Sequence, residues 1–187
     1  MPGRNEQQAG WLIVAAIGLV SCDDPEPAPL PPRDVAGLVD LSQWTPVPAA
    51  DDAWPERRVP GGVCEAGEGY YVEPLAGTTT FKVDTTLCDG ITVAQPALAD
   101  IRLDEVIRFD LWHFPLVAEA PAEGFLALAI DGEPVWEHRV PIPQGAGLIT
   151  EFIELPAEVP QGAEIQFHID NHGDNTWMLL GLQREPG

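Results

Sequence analysis

The stretch that decides the fold begins with EVIRFDLWH at residues 105–113. In an extended strand its alternate apolar residues fall on one face, namely Ile107, Phe109 and Leu111. Two further apolar runs follow, GFLALAI at 124–130 and VWEHRV at 135–140, with Asp131-Gly132 between them. An Asp-Gly pair between two such runs is a strong hairpin signal. This part of the chain is therefore predicted to be antiparallel β-sheet.

Strands continue on both sides of this hairpin. They are predicted at 148–155, at 163–170 (AEIQFHID) and at 176–182, with weaker ones at 70–72, 79–83 and 90–93. Eight or nine short strands with turns between them and no helical period predict an all-β fold, an antiparallel β-sandwich. In count and order the strands from Val63 to Gln183 resemble a jelly roll of the galactose-binding and carbohydrate-binding-module kind. The resemblance rests on the rhythm of the strands and on residues 163–170 and 171–177, and it implies a fold without assigning a sugar ligand.

Residues 1–21 are predicted to be a signal peptide. Arg4 precedes ten apolar residues at 11–20, a run too short to span a bilayer. The run ends in Leu19-Val20-Ser21-Cys22, which resembles a bacterial lipobox. The resemblance implies cleavage before Cys22 and attachment of acyl chains such as palmitate, which would anchor an exported protein in the cell envelope. Asp23 and Asp24 resemble the inner-membrane retention signal of enterobacterial lipoproteins. Because that rule does not hold in all bacteria, the inner and the outer membrane both remain alternatives for the anchor.

Two parts are predicted after the lipid anchor: a tether at 22–62 and the sandwich domain at 63–187. The tether begins with an acidic, proline-rich segment, which favours extended polyproline II structure. Its Trp44 and Trp54 are candidates to dock onto the domain. With Cys22 acylated, Cys64 and Cys88 remain as a pair, and an oxidising compartment favours a structural disulfide between them. The alternative, a redox or metal-ligand pair, lacks the close Cys-x-x-Cys spacing.

The composition excludes several classes of function. Nine Lys and Arg residues against thirty Asp and Glu residues give a formal charge of -21, which disfavours nucleic acid as a partner. Lys82 is the single lysine, and Ser21 and Ser42 are the two serines, so serine hydrolases and Schiff-base enzymes are disfavoured. The sequence also lacks G-x-S-x-G, H-E-x-x-H and a glycine-rich phosphate loop. The chain is therefore predicted not to be an enzyme.

One polar segment, HIDNHGDN at 168–175, has the side chains of a metal site. Its histidines and carboxylates, His168, Asp170, His172 and Asp174, suit zinc or copper. The oxygens of Asp170, Asn171, Asp174 and Asn175 suit calcium instead. The alternative is an ordinary turn, because Asn, Gly and Asp are turn residues. His113, at the end of its strand, would complete a three-histidine set with His168 and His172.

Aromatic residues are the other candidates for a binding site: Tyr70, Tyr71, Trp112, Trp136 and Trp177. Flat rings beside carboxylates and amides suit sugars, which stack their C–H faces and need partners for their hydroxyls. Trp136 and Trp177 are predicted to be core residues. Trp112 shares a strand face with Arg108 and Asp110, opposite the apolar set, and is predicted to be exposed. The predicted ligand-binding residues are Trp112, His113, Asn171, His172, Asp174 and Asn175.

The sequence thus predicts a membrane-anchored lipoprotein with a non-catalytic domain that binds a ligand or partner. The partner would be a carbohydrate or an envelope protein, held by loops at one end of the sandwich. One alternative is a structural or assembly lipoprotein of the envelope. Another is a metal-binding protein that uses His113, His168 and His172 for zinc, copper or calcium. No other cofactor is expected.

Overall fold

The structure, a computed structural model, describes residues 36–58, 64–171 and 173–187. The predicted signal peptide, Cys22 and His172 lie outside these residues. The helical content of the described chain is a short 3₁₀ turn at Pro55–Arg57, and no described helix has the length and apolarity of a membrane span.

Within the described residues, eleven strands form two antiparallel sheets that face each other. Sheet A contains β1 (Ala36–Gly37), β3 (Tyr70–Leu75), β4 (Thr78–Asp84), β6 (Glu105–His113), β9 (Gly147–Glu154) and β11 (Thr176–Pro186). Sheet B contains β2 (Thr45–Pro46), β5 (Gly90–Pro96), β7 (Ala122–Ile130), β8 (Glu133–Ile142) and β10 (Glu164–Asp170). The spatial orders are β3-β4-β11-β6-β9, with β1 beside β11, and β2-β5-β10-β7-β8. The prediction of an all-β antiparallel sandwich is confirmed.

The core lies between the sheets and is built by the two-residue alternation of their strands. Ile107, Phe109 and Leu111 of β6 are fully buried, and so are the alternate residues of β10, Ile165, Phe167 and Ile169. The rings of Phe109 and Phe167 meet across the sandwich at 5.9 Å between centroids. This apolar burial is the main stabilising contribution to the fold.

Two local predictions are also confirmed. Asp131 and Gly132 both take positive φ, 48° and 81°, as the tight turn between β7 and β8 requires. Cys64 and Cys88 form a disulfide, with their Cα atoms 4.9 Å apart. The bond ties the residues before β3 to the β4–β5 connection.

Residues 36–58, which the sequence assigns to the tether, pack against the sandwich. β1 pairs with β11 and β2 pairs with β5, so this segment adds a strand to each sheet. Trp44 is buried in the core between Phe81 and Phe167, with ring centroids 6.1 and 6.3 Å away. Trp54 is buried on the outer side of sheet B. Both tryptophans therefore dock.

Candidate functional site

The outer face of sheet A carries a continuous row of large side chains, called the apolar row below. Each of five neighbouring strands contributes one residue, and successive residues are cross-strand partners: Tyr71, Lys82, Met178, Trp112 and Leu148. Because neighbouring strands lie about 4.8 Å apart, the row is roughly 19 Å long. It runs across the strands, not along them.

Contacts within the row fix its rings. Lys82 donates a hydrogen bond from Nζ to the Tyr71 hydroxyl at 2.6 Å, and Nζ lies 4.8 Å from the centroid of that ring. Burial by itself lowers the pKa of Lys82, but Tyr71 and nearby Glu73 outweigh it and raise the pKa, so the ammonium stays charged. Trp112 is half-buried, and Phe114 meets its ring edge-on at 4.4 Å. Leu148 is 57% exposed at the far end of the row.

A second row, called the polar row, lies further along four of these strands, two positions on in β3, β6 and β9 and three in β11, where a bulge shifts the register. It consists of Glu73, Gly181, Asp110 and Thr150, from β3, β11, β6 and β9. The Thr150 hydroxyl donates a hydrogen bond to Asp110 Oδ1 at 2.6 Å, and this bond fixes the orientation of the carboxylate. Gly181 leaves open space within the polar row, because a Cβ built there would meet no atom closer than 3.9 Å.

Charged and apolar side chains flank the polar row on its other side. Arg108 lies next to Asp110 on β6, with Nε 2.8 Å from Asp110 Oδ2, and its NH1 donates to Glu185 at 3.2 Å. Phe152, the cross-strand partner of Arg108, is 58% exposed. The face therefore combines exposed apolar surface with oriented hydrogen-bonding groups.

The outer face of sheet B is partly covered by residues 47–58, called the strap below, which lie against β5, β10 and β7. Gln166 of β10 brackets the strap main chain: its Nε2 donates to the Asp51 carbonyl at 2.8 Å, and its Oε1 accepts from the Ala53 amide at 3.0 Å. The Trp54 ring lies on β7, against Phe125 and two small residues, Ala127 and Ala129. The small side chains leave the space that the indole fills.

A chain of buried polar groups lies beneath the strap. The fully buried carboxylate of Asp52 accepts hydrogen bonds from the Trp54 amide at 2.9 Å and from Arg58 Nε. The Thr92 hydroxyl lies 2.9 Å from Asp52 Oδ2 and 2.7 Å from His168 Nδ1. His168 Nε2 lies 2.8 Å from Asp170. Strap and sheet are thus joined by charges as well as by the indole.

Asp170 also holds Arg57 of the strap. The guanidinium donates to Asp170 Oδ1 at 3.0 Å and lies 3.8 Å from the centroid of the Phe125 ring. Burial by itself raises the pKa of Asp170, but hydrogen bonds from His168 and Arg57 outweigh it and hold the pKa below its usual range. Asp170 is therefore an ionised anchor for the strap.

The structure places His113 and His168 on different sheets, whereas His168 and Asp170, also predicted to bind a metal, are in contact. His113 is fully buried against Trp177 on the inner side of sheet A, with Nδ1 2.9 Å from the Phe114 carbonyl. His168 faces the strap, and both of its ring nitrogens have partners. Within 36–58, 64–171 and 173–187 no three His, Cys, Asp or Glu residues are grouped as for a metal ion. His172 lies outside these ranges, so metal binding stays a prediction.

The loop after β10 carries the other predicted site residues, and two of them hold the loop in place. Asn175 is buried, and its amide accepts from the Val117 N–H at 2.7 Å and donates to the Val117 carbonyl at 3.1 Å. Asn171 is buried and accepts from the Thr85 hydroxyl. Asp174 is exposed and lines a surface cavity with residues 117–122. Asn171 and Asn175 are thus used within the protein.

The alternation of β6 identifies the face of Trp112 but not the neighbouring strands that extend this face. One pattern in the sequence does point to β9, through its exposed apolar residues Leu148 and Phe152. Together with Ile149 and Ile153 they make β9 apolar on both sides, which indicates a strand whose outer face also makes contacts. No comparable signal marks the strap.

Comparisons with known proteins give similarities of fold. No protein-family model matches the sequence, and no curated protein matches it. The carbohydrate-binding module CBM4 is similar in structure at 13% identity and a TM-score of 0.39, over 63% of this chain and 96% of the module. For TmCBM61, solved with β-1,4-galactotriose, the identity is 10% and the TM-score 0.40, over 65% and 84% of the two chains.

An enzyme is among the similar structures as well. The enzymatically active domain of bacteriophage CBA120 tailspike protein 4 matches at 11% identity and a TM-score of 0.43, over 79% of this chain and 20% of that one. At such identities and TM-scores these likenesses assign neither a ligand nor an activity to this chain.

Proposed function

We propose that this chain is an exported lipoprotein, anchored through Cys22, whose sandwich is a non-catalytic carbohydrate-binding domain. The observation that carries the binding role is the pair of parallel rows on the outer face of sheet A. A sugar ring offers a C–H face that packs on flat or apolar side chains, and hydroxyls that need hydrogen-bond partners at its edge. Trp112 and Leu148 of the apolar row suit the first requirement, and the polar row suits the second.

The direction of the rows gives the orientation of the ligand. Because both rows cross the strands over roughly 19 Å, a glycan would lie perpendicular to the strands, and several sugar units would fit end to end. Trp112 lies near the middle, with Asp110 beside it on the same strand face. The Asp110 carboxylate, whose orientation is fixed, would accept hydrogen bonds from the hydroxyls of the sugar unit stacked on the indole.

Much of the other outer face is occupied by the strap, which leaves the outer side of β8 exposed. The strap packs Trp54 against sheet B and buries the Asp52 side chain completely. Gln166 of sheet B is hydrogen-bonded to the strap main chain. A glycan on sheet B would first have to displace these contacts. The proposal therefore places the ligand on sheet A.

The binding role is tested with a glycan screen on the full chain, followed by titration of the best ligand. Trp112→Ala is expected to weaken binding about tenfold or more, because the ring at the centre of a contact supplies much of its affinity. Leu103→Ala removes a comparably apolar, 64% exposed side chain outside the face and should leave affinity unchanged. Unchanged binding by the Trp112 variant, with its unfolding transition intact, would refute the site.

The anchor needs a separate test, because the residues that carry it lie outside the described structure. Cells that express the chain are grown with labelled palmitate, and membrane and soluble fractions are compared. The parent protein is expected to carry the label and to sediment with membranes, whereas Cys22→Ala should lose both properties. Label on the Cys22 variant would contradict the proposal.

An assembly role is the second candidate, favoured by the exposed apolar side chains at one edge of the same face. Phe114, Leu148 and Phe152 are 43%, 57% and 58% exposed, and such groups also suit a protein partner. Cross-linking in intact cells distinguishes the two functions. A specific protein adduct lost in Phe152→Ser, together with a negative glycan screen, would favour assembly.

A further inference from the structure

We propose that the outer face of sheet A selects uncharged glycans and rejects those that carry carboxylate or sulfate groups. This inference rests on the proposed carbohydrate-binding function and names the ligand class of that site. It follows from the charges on the face and from the way its two cations are already used.

Both cations of the face are held by the protein. The ammonium of Lys82 bonds to the Tyr71 hydroxyl and lies 3.6 Å from the Glu73 carboxylate. The guanidinium of Arg108 contacts the carboxylates of Asp110 and Glu185, at 2.8 and 3.2 Å. An anionic sugar would need one of these cations and would have to break an existing ion pair to reach it.

Acidic groups outnumber the cations on this face. Strand parity gives it five carboxylates, from Glu73, Asp84, Asp110, Glu154 and Glu185, against Lys82 and Arg108. The local formal charge is therefore 2 − 5 = −3, on a chain whose total formal charge is -21. A bound anion would meet repulsion from the face and, at low ionic strength, from the rest of the protein.

Uncharged sugars meet no such penalty. Asp110 contacts Thr150 through Oδ1 and Arg108 through Oδ2, and because each carboxylate oxygen has a second lone pair it can also accept a hydrogen bond from a sugar hydroxyl. The Thr150 oxygen can in turn accept a hydrogen bond from a sugar hydroxyl. Ligand hydroxyls can therefore use the polar row without disturbing the ion pairs of Arg108 and Lys82.

The experiment compares glycans that differ in the carboxylate alone. The full chain is titrated with β-1,4-linked hexasaccharides of mannose and mannuronate, and with those of glucose and glucuronate, at low and at high salt. We expect the uncharged member of a pair to bind at least about tenfold more tightly at low salt, and the difference to shrink at high salt as charges are screened. Uronate binding as tight as that of the uncharged partner would overturn the inference while supporting the proposed function.

A pair of charge variants separates the face from the total charge. Glu185→Gln removes one acid from the face, whereas Glu133→Gln removes one at the exposed start of β8 in sheet B. Glu185→Gln is expected to improve uronate binding about two- to threefold with little change for the neutral sugar, and Glu133→Gln should have less effect. Equal effects of both variants would overturn a role for the local charges. A chain that binds neither kind of hexasaccharide and no other glycan would refute the proposed function, and this inference with it.

Discussion

Replacement of Trp54 by alanine tests whether the strap is part of the folded domain. The indole is 3% exposed and lies against Phe125, Ala127 and Ala129 on sheet B. A free tether would leave this ring in water, and its removal would then have almost no effect on stability. A docked strap predicts a large loss, because the ring is buried on folding and its slot would be left empty.

The size of the loss follows from the buried area. A buried tryptophan hides about 150–250 Å² of surface, which at about 25 cal/mol per Å² corresponds to roughly 4–6 kcal/mol. The strap lies on the outside of a sheet and can partly close over the gap, so the lower end of the range measured for large-to-small substitutions, about 3 kcal/mol, is expected. For a chain of this size that lowers Tm by about 6–12 °C.

The assay is urea unfolding of the full chain, followed by far-ultraviolet circular dichroism, with Leu103→Ala as the control. Leu103 is 64% exposed, so its replacement should cost less than about 0.5 kcal/mol. A loss below about 1 kcal/mol for Trp54→Ala would refute the docked strap. A normal midpoint with faster amide exchange at Ala53 alone would show that the strap opens independently of the sandwich.

Three further predictions concern stability. Asp170→Asn should cost about 2 kcal/mol at pH 7. Because the pKa of Asp170 is lowered by folding, the parent protein keeps this stabilisation above the unfolded pKa of about 3.9 and loses it as pH falls through the folded value, so urea midpoints of the two proteins should converge in acid. The double change Cys64→Ser and Cys88→Ser should cost about 3 kcal/mol, measured without reductant, and added reductant should then have no further effect. Asn175→Ala should cost about 2 kcal/mol by removing the two hydrogen bonds of this buried amide to the Val117 main chain, whereas Asp174→Ala, at an exposed neighbour, should change the midpoint little.

The strands could be predicted because their signals are local. Alternation in β6 and β10 reports which side chains face the core, and the Asp131-Gly132 turn fixes one hairpin. The same parity placed Trp112 on the outer face together with Arg108. None of these inferences needs to know which strand lies beside which.

The strap could not be predicted because its contacts join residues far apart in sequence. Gln166 forms hydrogen bonds with Asp51 and Ala53, more than a hundred residues upstream. The proline-rich sequence around these two residues carries no pattern that predicts the contact. For the same reason His168 and Asp170 suggested a metal site. In the structure their partners include Thr92 and Arg57, which only the fold brings to them.

The two outer faces of the sandwich differ in what covers them, and this bears on function. On sheet B, Ala127 and Ala129 make room for an indole from the chain itself. On sheet A, Leu148 and Phe152 remain more than half exposed. Exposed apolar side chains lower solubility, and neither of these two is part of the core. A strongly acidic chain tolerates such a patch, because like charges keep copies apart. The same charge opposes anionic ligands, so solubility of the open face and selectivity for uncharged ligands would have one physical origin.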